Sequence, residues 1–370
     1  MNENRSRQQI TSRRIGYQIV RYQRPDRQDV FDFVRSAYGA DDSRRLLRQW
    51  DWKYDANPFN REAEPYVLLM REGRRIIAML GGIALRVIIQ GQEHWVSHSC
   101  DWVVHPDYRD QHLARRLTER HRADRALRFS WQNEKSYQRS QRHSDSDTIR
   151  IVPLVKVLDF GYIVQRLTRT ALLGRLGAGV ADVARLLSRP FRAPAVLPGV
   201  SVTQVHAFDA RFDVLWQRVG ETYPVMVVRD QRYLQWRFGA RPDARYTILA
   251  ATRAEELFGY VIVRVAEAAG VRWGYVVDFL VRDASTSLFS LLIRWAVEHL
   301  RREGARAISC RTTVPPYRRI LYGQGFWPYR AGQRGYLRTN ANTPDPAVQV
   351  FRDTRQWYLT MGDGDLEMVF

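Results

Sequence analysis

Apolar and polar positions alternate over residues 17–22 (YQIVRY), which predicts a short strand just after Gly16. The period then changes. Val30, Phe33, Val34 and Ala37 recur at helical spacing and predict a helix over 26–38. The run YVLLMREGRRIIAMLGGIALRVII reads as two strands joined at Glu72-Gly73, with GQEHW as a further turn and SHSCDWVV as a strand stopped at Pro106. DQHLARRLTERHRADRALR is amphipathic, with Leu113, Leu117 and His121 on one face, and RFSWQ follows as a strand.

The second half repeats this order. SVTQVHAF predicts a strand, and 209–219 a helix with Phe212, Leu215, Trp216 and Val219 as its stripe. Strands and turns fill 246–281. STSLFSLLIRWAVEHLRREGA is a long amphipathic helix ended by Gly304, RAISC is a strand, and YRRILYGQGF is a short helix ending at Gly325. Both halves place a Trp-basic-aromatic triplet before the strand pair: Trp52-Lys53-Tyr54 with Pro58, and Trp236-Arg237-Phe238 with Pro242. Both place one Asp in an apolar strand, Asp101 and Asp278. Five features in one order mark a long-period duplication. The expectation is an α+β chain of two tandem modules, each a mixed, mostly antiparallel sheet flanked by helices. Trp52 and Trp236 are expected as core anchors, with Lys53 and Arg237 at the rim.

The expected divisions are a basic tail over 1–14, a first module over 15–165, a linker over 166–200, a second module over 201–345 and a C-terminal extension over 346–370. In the linker, Leu172, Leu176, Val180, Val183 and Leu187 recur at helical spacing among arginines. This reads as a helix packed on one module, or as a basic face for peripheral membrane contact through 166–190. The longest apolar run, 76–89, is broken by glycines and Arg86 and is too short to span a bilayer as a helix. The N-terminus has no signal-like apolar segment, so a cytoplasmic protein is expected.

Composition adds one complication. The formal charge is +19, which invites a polyanion partner. Only Lys53, Lys135 and Lys156 are lysines, however, and the arginines are spread along the chain. A phosphate-bearing cofactor suits this charge as well as nucleic acid does. The two cysteines, Cys100 and Cys310, fall in strand-like runs of different halves and read as reduced, packed thiols. Five of the eight histidines lie between His94 and His121, but their spacing matches no metal-ligand pattern, and no metal is expected.

The chemistry concentrates in Val103-Val104-His105-Pro106-Asp107-Tyr108-Arg109-Asp110-Gln111-His112-Leu113-Ala114. A strand ends, the chain turns, and a helix begins. The N–H groups at such a helix start, with the helix dipole, suit a pyrophosphate, and Arg109 and Arg115 add charge. This stretch resembles the acyl-CoA-binding motif of the GNAT N-acetyltransferase superfamily, with His112 where the family has Gly. The resemblance extends over about residues 16–340. It is nearest to tandem-GNAT proteins of polysaccharide and natural-product clusters, on Trp52-Lys53-Tyr54…Asn57-Pro58-Phe59 and the strand ending at Asn133.

The resemblance implies an acyl-CoA-dependent N-acyltransferase, with acetyl-CoA or another acyl-CoA as cofactor and a small-molecule amine or amino sugar as acceptor. It places Val103, Val104, Arg109, Gln111, His112, Leu113, Ala114, Arg115, Asn133 and Tyr137 at the cofactor. Asp101 becomes the candidate base, with a structural carboxylate as its other reading. Tyr322, in Tyr322-Gly323-Gln324-Gly325-Phe326, resembles the family's proton donor to the departing thiolate. The alternatives are a Fem-type transferase using aminoacyl-tRNA, the one case that calls for nucleic acid, and a non-catalytic protein with two degenerate sites. The sequence says nothing of oligomeric state.

Overall fold

A computed structural model describes residues 16–364 apart from 63, 110–112, 133, 142–147, 160, 162–196, 269, 330–334 and 342. The expected tail over 1–14 lies outside the described residues, as does nearly all of the linker.

The first half begins with β1 (Tyr17–Arg21), α1 (Arg27–Ala37) and α2 (Ala40–Trp50). Val30, Phe33, Val34 and Ala37 are the buried face of α1, as their spacing predicts. α2 runs into a wide helical turn, Asp51–Asp55, so the Trp52 triplet continues a helix. Next come β2 (Tyr66–Glu72), β3 (Arg75–Ile89), β4 (Gln92–Val104), α3 (Leu113–Asp124), β5 (Leu127–Gln132), α4 (Glu134–Gln141), β6 (Thr148–Ile151) and β7 (Leu154–Val157). GQEHW is not a turn over its length. Gln90 and Gly91 alone turn, both at positive φ, and Gln92 onward pairs back onto β3 as a two-residue hairpin.

The second half contains β8 (Ser201–Val205), α5 (Ala210–Val219), β9 (Val225–Val227), α6 (Gln231–Leu234) and a second wide turn, Gln235–Gly239. It continues with β10 (Thr247–Arg253), β11 (Glu256–Ala268), β12 (Val271–Val281), α7 (Thr286–Arg302), β13 (Ala307–Cys310), α8 (Pro315–Gly323) and β14 (Trp327–Pro328). The chain closes with β15 (Gly335–Ala341), α9 (Pro346–Gln349) and β16 (Trp357–Tyr358). Both cysteines are free thiols, as expected.

The strands form two mostly antiparallel sheets. The first runs β1-β2-β3-β4-β5-β15-β6, and the second β14-β7-β13-β12-β11-β10-β8. Each sheet borrows from the other half of the chain. β15 lies between β5 and β6, pairing with Leu127–Gln132 on one side and Thr148–Ile151 on the other. β7 reciprocates, lying between β13 and β14. β9 also crosses over to pair with the end of β3, and β16 pairs with β9.

At the centre the two wide turns meet. The rings of Trp52 and Trp236 stack with centroids 5.2 Å apart. The Trp52 indole N–H donates to the Trp236 carbonyl at 2.8 Å, and the Trp236 indole returns the bond to the Trp52 carbonyl at 2.9 Å. Both tryptophans are core anchors, as predicted. Lys53 and Arg237 are not at the rim: they are only 3% and 5% exposed. The turn winds them inward, where each finds acceptors. The main core is continuous across both halves, and a smaller cluster packs Leu113 and Leu117 of α3 on β2 and β3.

Candidate active site

β4 and β5 run parallel and pair only over Ser97–Ser99 with Arg128–Ser130. Beyond that point they separate. The separation begins where β4 carries an irregularity: Gly81 faces Cys100, but Met79 already faces Val103, so β4 holds one extra residue. Asp101 sits there with φ of 48°, a left-handed conformation rare for a side-chain-bearing residue. The bulge re-aims the Asp101 carboxylate, and among the described residues β4 has no partner on β5 beyond Ser99, so the two strands part there like the arms of a V.

The opening has two faces. On one, Val103 belongs to the main core, which also holds the buried faces of α1 and α2 and against which Cys100, Tyr38 and Trp131 lie. On the other, Val104 packs with Leu113 and Leu117. Asp101 belongs to the first face. Its carboxylate accepts from the Lys53 ammonium at 3.2 Å and the Tyr54 hydroxyl at 2.6 Å. The Tyr54 oxygen is also 3.3 Å from the Cys100 thiol. The absent side chain of Gly81 admits that hydroxyl: a Cβ there would lie 1.9 Å from the Tyr54 oxygen. Burial, followed by the Asp101 charge, pushes the Tyr54 phenol well above its usual value, so it remains a donor. Burial and the same carboxylate also raise Tyr38. The Asp101 side chain keeps 16% of its surface exposed, while Lys53 keeps 4%.

Lys53 and Tyr54 were missed as site residues. The signal was present, because the repeated triplet contains both, but its recurrence in the second half made it read as a fold marker alone.

On the second face, Pro106–Tyr108 form a single tight turn, with Arg109 following it and exposed. Leu113 is buried at the start of α3, Ala114 is half-buried, and the Arg115 guanidinium is tied to Glu119 at 2.7 Å. Gln111, His112 and Asn133 lie outside the described residues. Tyr137 on α4 stacks on Tyr336 of the exchanged strand β15, centroids 3.9 Å apart, at the same end of β5. Val103 and Val104 thus lie at the end of β4, with Arg109 in the connection that leads from it to the first turn of α3. Tyr322 lies on α8 in the second module, where its hydroxyl accepts from Arg318 at 3.1 Å and its ring faces Trp327. No contact among the described residues joins it to Asp101.

The second module has the corresponding position, Asp278, in a different state. Asp278 is 1% exposed and accepts from Arg229, Tyr260 and Thr360. Among the described residues, no group of His, Cys, Asp and Glu is placed to hold a metal ion. Nor is any helix long and apolar enough to cross a membrane.

A parallel strand pair that parts at a bulge, with a helix start on one face and a carboxylate on the other, is the geometry set against known proteins. Residues 18–127 match the family described as Acetyltransferase (GNAT) domain. Solved structures agree on the fold. Saccharomyces cerevisiae N-myristoyltransferase with bound myristoyl-CoA is similar at a TM-score of 0.56 and 12% identity, over 88% of this chain and 82% of that one. A GCN5-related N-acetyltransferase from Anabaena variabilis gives 0.58 and 10%, over 87% and 72%. A probable N-acyltransferase from Enterococcus faecalis gives 0.56 and 11%, over 88% and 73%. No curated protein sequence matches the chain.

Proposed function

We propose that the protein is an acyl-CoA-dependent N-acyltransferase whose working site is the β4–β5 opening of the first module. The observation that carries this reading is the bulge that presents Asp101 beside a freed strand edge, while the α3 start lies on the opposite face. The family match and the acyl-CoA-bound neighbour support it. Acetyl-CoA is the proposed acyl donor, and the acceptor is a small amine or amino sugar.

The residues fit such a cofactor. Arg109 and the first turn of α3, Leu113 to Arg115, would hold the phosphates, together with Gln111 and His112; Asn133 and Tyr137 would flank the same groove. Bound acyl-CoA supplies an activated acyl group. Asp101 accepts the proton from the acceptor's ammonium, directly or through a water, since its carboxylate is only part-buried. Lys53 and Tyr54 fix the carboxylate's direction. A backbone N–H at Val103 or Val104, on the strand edge left by the splay, donates to the developing oxyanion. For Tyr322, the contacts to Arg318 and Trp327 favour a structural role over that of proton donor; as the C–S bond breaks and the N–C bond forms, the CoA thiolate would leave and take its proton from solvent.

The test is titration calorimetry of the full chain with acetyl-CoA and longer acyl-CoAs. Saturable heat with one site per chain is expected, and Arg109→Ala should weaken affinity about tenfold, the scale of one charge-assisted phosphate contact. Folded protein that gives no heat rules out the reading; unchanged affinity in the variant means that the phosphates lie elsewhere.

A further inference from the structure

The geometry points to a second role for residues 357–364: they fill the acceptor cleft of the second module permanently and, in doing so, form the far wall of the first module's cleft. This rests on the acyltransferase reading for its function, but not for its structure.

The filling is specific. Thr360 donates to Asp278 at 2.6 Å and accepts from the Gly362 amide, while the Thr360 amide donates to Asp363 at 2.7 Å. Arg229 bridges Asp363 at 2.7 Å and Asp278 at 3.1 Å. Gly362 is pressed so close to Phe238 and Asp278 that a Cβ would lie 2.8 Å from the Phe238 ring. Thr360, Met361 and Asp363 are all at most 3% exposed. Where the first module shows Asp101 to its opening, the second shows nothing: the chain itself occupies the place an acceptor would take.

The same segment then crosses to the first module. Arg237 occupies the position of Lys53 in the second triplet. It does not reach its own Asp278, but donates to the carbonyls of Gly362 and Gly364, while its guanidinium lies over the Trp52 ring at 5.3 Å. The Trp131 indole donates to the Asp363 carbonyl at 3.0 Å, and Gly364 packs directly on that ring. Trp131 is one residue past the last β4–β5 pair, and Asp101 is two residues past it. Both belong to the α1–α2 face. They therefore stand on opposite arms of the V, with the acceptor's amine expected between them. Residues 363–364 fix the Trp131 arm, so the acceptor's size is set by the C-terminal extension that also seals the second module. Trp131 is a positioning residue in this scheme.

Hydrogen–deuterium exchange on the full chain tests the wall without any acceptor. Amides of 357–364 should exchange within about tenfold of those in β12, both with and without CoA. Thr360→Val should speed exchange in 357–364 selectively. Exchange hundreds of times faster than β12, or marked slowing on adding CoA, would make the segment a lid and overturn the proposal. Trp131→Phe removes the indole donor and part of the ring on which Gly364 packs. With glucosamine as the probe amine it should raise the KM for the amine about threefold or more and leave the KM for acetyl-CoA unchanged; an equal rise in both, or none, overturns the wall. If glucosamine is not acetylated at all, the amino-sugar reading fails and the exchange result alone decides the wall. Failure to bind CoA would sink the acyltransferase reading while leaving the exchange pattern intact.

Discussion

Arg229 is a buried cation held between two buried carboxylates. It is 1% exposed and shared by two carboxylates, Asp278 and Asp363, that are 1% and 3% exposed. Arg229→Met keeps most of the apolar stem and removes the charge. Deleting one partner of a buried ion pair costs about 3–5 kcal/mol, because the other charge is left uncompensated. With two carboxylates orphaned, the upper end is expected, a large share of a typical total of about 5–15 kcal/mol. The loss should depend on pH. Burial already holds the Asp363 carboxyl above its ordinary value, and Arg229 opposes that rise. Without the guanidinium it rises further. The folded state then keeps a proton that the unfolded chain releases, so stability falls as pH rises, by about 1.4 kcal/mol per unit for one group. Urea unfolding of Arg229→Met should thus show a deficit at pH 7 that shrinks steadily towards pH 5, and Asp363→Asn in the same background should recover part of it. A deficit under about 1 kcal/mol, or one that does not change with pH, would refute the account of the network as a mutually compensated set of charges.

Three further outcomes follow from the same contacts. His121 is buried between Ser97 and Ser99, and burial, then Arg128 and Arg125, lower it from 6.5 to about 3. The unfolded chain binds that proton first, so stability should drop by about 1.4 kcal/mol per unit as pH falls from 6.5 towards 3, a slope that His121→Asn removes in urea midpoints measured against pH. Trp52→Phe and Trp236→Phe each break one of the reciprocal indole bonds, and a double-mutant cycle by chemical denaturation should give a coupling of about 1 kcal/mol; strict additivity would count against the clasp. Gly81→Ala puts a Cβ onto the Tyr54 hydroxyl. It should lower acyl transfer about tenfold or more with CoA affinity intact, since only the carboxylate's orientation is disturbed; unaltered turnover would remove Tyr54 from the site.

Much of the fold was legible in the hydrophobic pattern. The α1 face, the Leu113-Leu117-His121 face of α3 and the central strands all follow from local periodicity, and the recurring Trp triplet pointed to the two modules. What escaped has a common cause. Lys53 beside Trp52 looks like any solvated lysine, and only the wide turn brings it to Asp101, while the missing Cβ of Gly81, far along the chain, makes room for Tyr54 there. The exchange of β7 and β15 is equally silent, because a short apolar strand fits either sheet and the choice is made by distant neighbours. Asp278 and Asp101 look alike in sequence. Their difference, one sealed and one presented, is decided by Thr360 and Asp363 more than eighty residues later, and no local pattern carries that.

The exchanged strand β15 has a consequence for how the protein comes into being. Emerging from the ribosome, β5 and β6 have an empty lane between them until Gly335–Ala341 is made. At synthesis rates of about 5–20 residues per second, the roughly 200 intervening residues take roughly 10–40 s. For that interval the nascent first half exposes two unpaired strand edges beside the site it is to carry, edges of the kind that recruit foreign strands. The protein is thus bound to fold late and as a whole, and its early half is a natural client for chaperones that shield unfinished sheets.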